Sequence, residues 1–256
     1  MTGVRGRARV AGGPARLAGG PAHGGAPVLA GAPVLVGAGD AHLDDRPVLL
    51  VATGSTHKLR ELTELLHLSH ARLVPLGDVP AAVAAGEPVE DGATFAANAA
   101  IKARFYARAT GLPTLADDSG IEVDALDGGP GVRTRRYAGD DATDEQNNIK
   151  LLATLRGLPP EVRGARYRCV LAFADPRAAG PRGGIPVVTR RGTLEGRVAT
   201  RPRGHGGFGY DPIFEPEPEE PGGRTLGEWS AAEKHAVSHR GRAARRMARF
   251  LAAKGY

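Results

Sequence analysis

Three short segments of this chain carry charged side chains at predicted strand-to-loop and loop-to-helix junctions. Lys58 follows Thr53-Gly54-Ser55, the pair Asp117-Asp118 precedes Ser119-Gly120, and Ser238-His239-Arg240 stands near the end. Ammonium, carboxylate and guanidinium groups together are what a magnesium-bound polyphosphate requires. Glu90 and Asp118 are the metal candidates, because magnesium beside a triphosphate takes one or two protein carboxylates and leaves its other positions to water and phosphate oxygens. Neighbours on an extended strand point to opposite faces, so one of Asp117 and Asp118 is expected to meet substrate and the other to be structural. An Asx-type turn is the plain alternative for Asp-Asp-Ser-Gly.

Other segments fit the same chemistry. Thr53-Gly54-Ser55-Thr56-His57-Lys58 lies between an apolar run and a helix start, where backbone N–H groups and the dipole favour an anion and Gly54 lets phosphate approach the main chain. It lacks the second Gly and the Gly-Lys-Ser/Thr ending of a Walker loop, and a capped strand-to-helix turn would look similar. Asn98 and Lys102, four apart, share one helical face that could meet phosphate or only solvent. Gly206-Gly207-Phe208-Gly209-Tyr210-Asp211-Pro212 offers two rings for stacking and a carboxylate to read a base edge; it suits a purine pocket, and also a Gly-rich hairpin with aromatic core plugs. Lys234, His239 and Arg240 flank the last helix and could hold phosphates or base. Arg242, Arg245, Arg246 and Arg249 read as a solvated basic face or a nucleic-acid surface.

Positioning these groups takes an alternating fold. Val48–Ala52 is a short apolar run, the mark of a strand buried on both faces. A helix capped by Ser55 or Thr56 should follow, with Leu59, Leu62 and Leu66 as its core stripe. Arg72–Leu76 reads as a second strand, followed by a loop through Glu90-Asp91-Gly92 and a helix over Thr94–Ala109. Pro113–Ala116 and Ile121–Val123 read as two strands on either side of the acidic pair. A Gly/Asp loop from Asp127 to Asp141 leads to a helix with a Thr143/Gln146 capping box. Arg166–Ala174 and Val187–Val198 are long enough to pair antiparallel. An acidic, Pro-rich insertion at Glu215–Gly223 and a final helix over Arg240–Ala253 complete the pattern. Strands alternate with helices early and pair locally later, which predicts a mixed β-sheet flanked by helices, an α/β fold.

Composition sets the outer bounds. A chain of 256 residues with 41% apolar and 24% charged residues can bury one sizeable core or two lobes, and no stretch approaches the roughly 18 apolar residues of a membrane span. The single Cys169 excludes an intramolecular disulfide and fits a reducing, cytoplasmic setting. A net charge of +6 suits an anionic substrate as well as nucleic acid. Residues 1–46 stand apart: 25 of these 46 are Gly, Ala or Pro, too little apolar surface to offset chain entropy. They are read as a disordered extension, with a signal peptide as the rival reading, and the folded domain as residues 47–256.

The order and spacing of Leu115-Ala116-Asp117-Asp118-Ser119-Gly120, Gly207-Phe208-Gly209-Tyr210-Asp211-Pro212-Ile213-Phe214 and Glu233-Lys234 followed by Ser238-His239-Arg240-Gly241 closely resemble the inosine/xanthosine triphosphate pyrophosphatase family. Thr94-Phe95 with Asn98 and Lys102, and Arg136-Tyr137-Ala138-Gly139, also match, and the likeness runs from about Val48 to Ala252. The resemblance implies a two-lobed mixed α/β fold, a homodimer, and Mg2+-dependent cleavage of ITP, dITP or XTP to monophosphate and pyrophosphate. Carried over by position, Thr53 to Lys58 would bind the phosphate end, Glu90 and Asp118 the metal, and Asp118 would be the base for the attacking water. Ser119, Phe208, Gly209, Tyr210, Asp211, Lys234, His239 and Arg240 would form the rest of the pocket. Ser55 stands where the family usually has Asn, and Arg133 and Arg135 replace aromatic and small residues. The remaining alternatives are a pyrophosphatase for modified pyrimidine nucleotides, against which the Phe208–Asp211 segment argues, and an inactive basic nucleic-acid-binding protein.

Overall fold

A computed structural model describes residues 45–181 and 183–256. The extension expected over residues 1–46 lies outside the described residues except for its last two. Strand β1 (Val48–Ala52) leads through Ser55, which is the cap, into helix α1 (Thr56–Leu65) and strand β2 (Arg72–Pro75). A short helix α2 (Pro80–Ala85) precedes α3 (Phe95–Thr110), strand β3 (Thr114–Val123) and helix α4 (Asp144–Thr154). Then come β4 (Gly164–Ala174), β5 (Val187–Val198), the edge strand β6 (Phe214–Pro216), α5 (Ala231–Val237) and α6 (His239–Ala252). The six strands form one mixed sheet in the order β2-β1-β3-β4-β5-β6, with β1 parallel to β2 and β3 and the other pairs antiparallel.

Three expectations change. The two strands read on either side of Asp117-Asp118 are one: Asp117, Asp118, Ser119 and Gly120 pair in register with Leu171, Val170, Cys169 and Arg168 of β4. A long antiparallel partner satisfies the backbone that an Asx turn would otherwise have closed. The acidic insertion begins as β6, where buried Glu215 pairs with Arg203 at 2.6 Å. Helices α2 and α5 arise in segments read as connections. They are short, but α5 carries a Ser230/Glu233 capping box that the sequence displays.

Alternation along the strands builds the core on both sheet faces. Leu50, Ala52, Ala116 and Ala172 pack under α3, whose Ala99, Ala103 and Ala107 allow a close approach. Leu49, Val51, Leu115 and Leu171 pack on the other face with Leu62 and Leu66 of α1 and Ala243, Ala244, Met247 and Leu251 of α6. Farther along, Ile121, Val123, Tyr167 and Leu194 form a third cluster with Leu151 and Leu155 at α4. Pairing of β1 with β3 ends at Ala52↔Ala116. Asp117 and its successors run on past that end, and ligands of open α/β sheets bind outside the carboxyl ends of such strands.

Candidate active site

At the end of β1 the chain turns under its own hydrogen bonds. Thr53 Oγ1 accepts from Ser55 N at 3.2 Å and Ser55 Oγ accepts from Lys58 N at 3.3 Å. Gly54, Ser55, Thr56, His57 and Lys58 thereby line a cavity of about 310 Å³. A second cavity of about 550 Å³ shares Gly54, Ser55, Lys58, Ser119 and Arg135 with it, and adds Thr53, Glu87, Glu90, Asn98, Lys102 and Asp118. Both volumes are of ligand size.

Adjacent carboxylates of β3 serve the two sides separately, as alternation demands. Asp117 is buried, ion-paired to Lys58 Nζ at 2.7 Å and Arg240 Nε at 3.1 Å, and accepts from Ser119 Oγ at 2.9 Å and Cys169 Sγ at 3.1 Å. Burial pushes its carboxyl up, but Arg240 and Lys58 outweigh that and hold it well below the usual range. Asp117 is thus the structural member of the pair. Asp118 faces the second cavity, where burial raises its pKa to about 6 against the partial opposition of Lys58 and Lys102. Its Oδ2 is shut off from solvent and has no hydrogen-bond partner.

Behind the first cavity runs an alternating chain of six charges. Asp211 meets Lys234 at 2.6 Å, Lys234 meets Glu61 at 2.8 Å, Glu61 pairs with Arg240, and Arg240 and Lys58 share Asp117. Each buried ion has an opposite neighbour, the condition under which burying it is tolerable. Glu61 was not foreseen, although it lies three residues beyond Lys58 on the same helical face. Burial raises its carboxyl, but Arg240 and Lys234 prevail and bring it to about 2. Arg240 is 1% exposed and also donates to Ser119 Oγ at 2.8 Å, so it borders the cavity as part of this chain.

Rings close the first cavity. Phe208 stacks on His57 with centroids 5.1 Å apart, under the cations of Lys234 at 4.8 Å and Arg240 at 5.6 Å. His239 stacks on Tyr167 at 4.6 Å; burial and then Arg240 hold it well below the usual histidine range, so it is neutral, and its Nδ1 has no partner. Asp211 Oδ2 accepts from Phe208 N at 3.0 Å, and Tyr210 OH donates to Thr134 O at 2.8 Å. Asp144 also lines this cavity and was not foreseen.

In the second cavity Asn98 Oδ1 accepts from Gly92 N at 2.7 Å, and Lys102 Nζ bridges Glu90 Oε2 and the Asp117 carbonyl, both at 3.0 Å. Asn98 and Lys102 do share a face, and that face fixes the loop carrying Glu90 next to Asp118. The orphaned Asp118 Oδ2 beside Glu90 is a hard-oxygen donor set suited to magnesium. Among the described residues no three His, Cys, Asp or Glu side chains converge as a self-sufficient metal site. Such a pair therefore fits an ion that draws its remaining ligands from water and phosphate.

A mixed α/β sheet whose cleft joins an aromatic cavity to a charged one is the arrangement of a nucleotide-binding enzyme. The chain belongs to the Ham1 family, whose model matches residues 49–250. It is 45% identical to the dITP/XTP pyrophosphatase of Anaeromyxobacter sp. over 79% of this chain and 96% of that one. With the dITP/XTP pyrophosphatase of Geobacter sulfurreducens the identity is 47%, over 76% and 92% of the two chains. Its fold is similar to that of a HAM1 protein from Coxiella burnetii (TM-score 0.70, 37% identity, 81% of this chain and 99% of that one). A nucleoside-triphosphatase / dITP/XTP pyrophosphatase from Mycobacterium abscessus matches with a TM-score of 0.62 at 42% identity, over 78% and 97%.

Proposed function

We propose that this protein hydrolyses deaminated purine nucleoside triphosphates (ITP, dITP and XTP) to the monophosphate and pyrophosphate, with magnesium. The observation that carries the reading is the partition of the cleft by β3, with a ring-lined cavity on one side and the Asp118 carboxylate, its Oδ2 without a hydrogen-bond partner, on the other. Kinship with dITP/XTP pyrophosphatases supports the substrate class.

The base would stack against Phe208, beside the donors Lys234 and Arg240. A 6-oxo group can accept from such cations, whereas a 6-amino group finds no acceptor in them. The phosphates would lie along the α1 N-terminus and Lys58. Asp118, ionised above about pH 6, would take the proton of the water that opens the α–β anhydride. Magnesium, held by Asp118 and Glu90 when bound, would offset phosphate charge there. With ITP and magnesium the products should be inosine monophosphate and pyrophosphate; inosine diphosphate and orthophosphate would sink the reading.

The homodimer that the family resemblance implies belongs to the same proposal, and a monomer at micromolar concentration in sedimentation would reject it. Among the described residues no helix is long and apolar enough to cross a membrane. A cytoplasmic setting, with free nucleotides as substrate, suits the buried thiol of Cys169. Residues 47–256 are proposed to suffice for turnover, since the family match starts at residue 49; loss of activity on removing residues 1–46 would refute that.

A further inference from the structure

Helix α4 holds both walls of the cleft through three polar side chains in its first half. Asp144 Oδ2 accepts from Gly209 N at 2.6 Å, and Asn148 Nδ2 donates to Gly209 O at 3.0 Å. Both backbone groups of the residue after Phe208 are thus tied to one helix. Gly209 has a φ of 64°, the left-handed region, so this is a sharp turn whose direction sets where the Phe208 ring points. The intervening Asn147 grips the other wall: its Oδ1 accepts from Ala138 N and its Nδ2 donates to Arg135 O, each at 2.8 Å. Arg135 and Arg136 line the charged cavity. Asn147 and Asn148 are buried at 2% and 7% exposure, yet neither belongs to the six-charge chain or to the reacting face of β3.

The helix is itself well anchored. A complete Thr143/Gln146 capping box fixes its start, and Leu151 and Leu155 root its far end in the third apolar cluster. A rigid element that grips two loops is how precise sites are built from irregular backbone.

We propose that Asp144 and Asn148 are positioning residues for the base, setting Phe208 against it through Gly209, and that Asn147 positions the Arg135–Ala138 segment for the phosphates. The inference rests on the functional reading above. The two halves of the helix face should therefore separate by the part of the substrate they affect.

The test uses the full chain with dITP, together with inorganic tripolyphosphate as an inhibitor that carries the phosphate end of the substrate without the base. Asp144→Ala and Asn148→Ala should each raise KM for dITP about tenfold, the usual effect of one lost hydrogen bond, with kcat within about twofold. The inhibition constant of tripolyphosphate should not move. Asp144→Asn should restore KM to near the wild-type value, because its amide oxygen still accepts from Gly209 N. Asn147→Asp, which accepts from Ala138 N but cannot donate to Arg135 O, should weaken tripolyphosphate as well as dITP.

An unchanged KM in Asp144→Ala would overturn the proposal. So would an Asp144→Asn variant as impaired as Asp144→Ala, or an equal loss of tripolyphosphate in all variants. Should Asn147→Asp fail to fold, the exposed Asp144 pair decides alone. If the wild-type enzyme turns over no deaminated purine nucleotide, the functional reading fails, and the clamp is judged by hydrogen exchange over residues 204–211. Exchange there must accelerate in Asp144→Ala and not in Asp144→Asn.

Discussion

Replacing Asp118 with Asn should cut turnover by orders of magnitude and stabilise the fold in the same step. Burial holds the Asp118 carboxyl at about 6 instead of 3.8. At 1.36 kcal/mol per pKa unit, keeping it ionised in the folded protein costs up to about 3 kcal/mol. The sign follows from proton binding. Between about pH 4 and 6 the folded state keeps a proton that the unfolded chain releases, so stability falls as pH rises through that window. Above it the penalty is complete. Asn keeps the shape and cannot ionise, so the variant should gain up to about 3 kcal/mol at pH 7.5, or roughly 6–12 °C in melting temperature for a chain of this size, and almost nothing at pH 3.5. Thermal melts at both pH values with chelator present measure this, and turnover should fall by about 10²–10⁴-fold as expected for loss of a general base. A variant that melts no higher than wild type at pH 7.5, or that gains equally at both pH values, would show that desolvation does not tune this carboxylate.

Asp117→Asn should do the opposite to the fold, costing about 3–5 kcal/mol in urea denaturation because Lys58 and Arg240 lose their shared anion; a neutral or stabilising result would contradict its structural role. Glu61→Gln should cost a similar amount near neutral pH. Since Glu61 has a folded pKa of about 2 against 4.5, the deficit should shrink as pH falls from 4.5 toward 2; a pH-independent deficit would argue against the charge chain. Gly192→Ala would bring a Cβ to 2.0 Å from the His239 carbonyl and 2.7 Å from Ala243 N, so it should destabilise by at least about 2–3 kcal/mol; wild-type melting would show that α6 does not lie so close to β5.

Much of this site is legible in residue order because local physics dictates it. Ser55 caps α1 directly behind a buried strand, Thr143 and Gln146 close a reciprocal box, and Leu59, Leu62 and Leu66 do form the core stripe. Alternation alone divides Asp117 from Asp118. What stayed hidden depends on partners distant in sequence. Asp-Asp-Ser-Gly is turn-like by propensity, and only β4, about 50 residues on, draws it straight. Glu61 is an ordinary helical Glu until α5 and α6 bring Lys234 and Arg240 to it. The grip of α4 on Gly209 spans 61 residues, and no local pattern announces it.

The straightness of β3 has a chemical consequence that a turn would not have. In a turn both carboxylates could crowd one side, and like charges so placed raise each other's pKa in a coupled titration. On a continuous strand they are sent to opposite faces, and each takes its character from what lies there. Asp117 meets Lys58 and Arg240 and is held as a permanent anion; Asp118 meets a partly desolvated cavity and rises to about 6. One strand thus gives two carboxylates of the same residue type opposite titration behaviour, the separation by environment on which the proposed division into structural and reactive roles rests. Lys58 sits at the boundary, neutralising Asp117 while bordering both cavities. A phosphate drawn to that ammonium would compete with Asp117 for it, and Asp117 would keep Arg240, which Glu61 also holds. Arg240, fixed between Asp117 and Glu61, is therefore the partner that would keep the buried anion paired if Lys58 turned to a ligand.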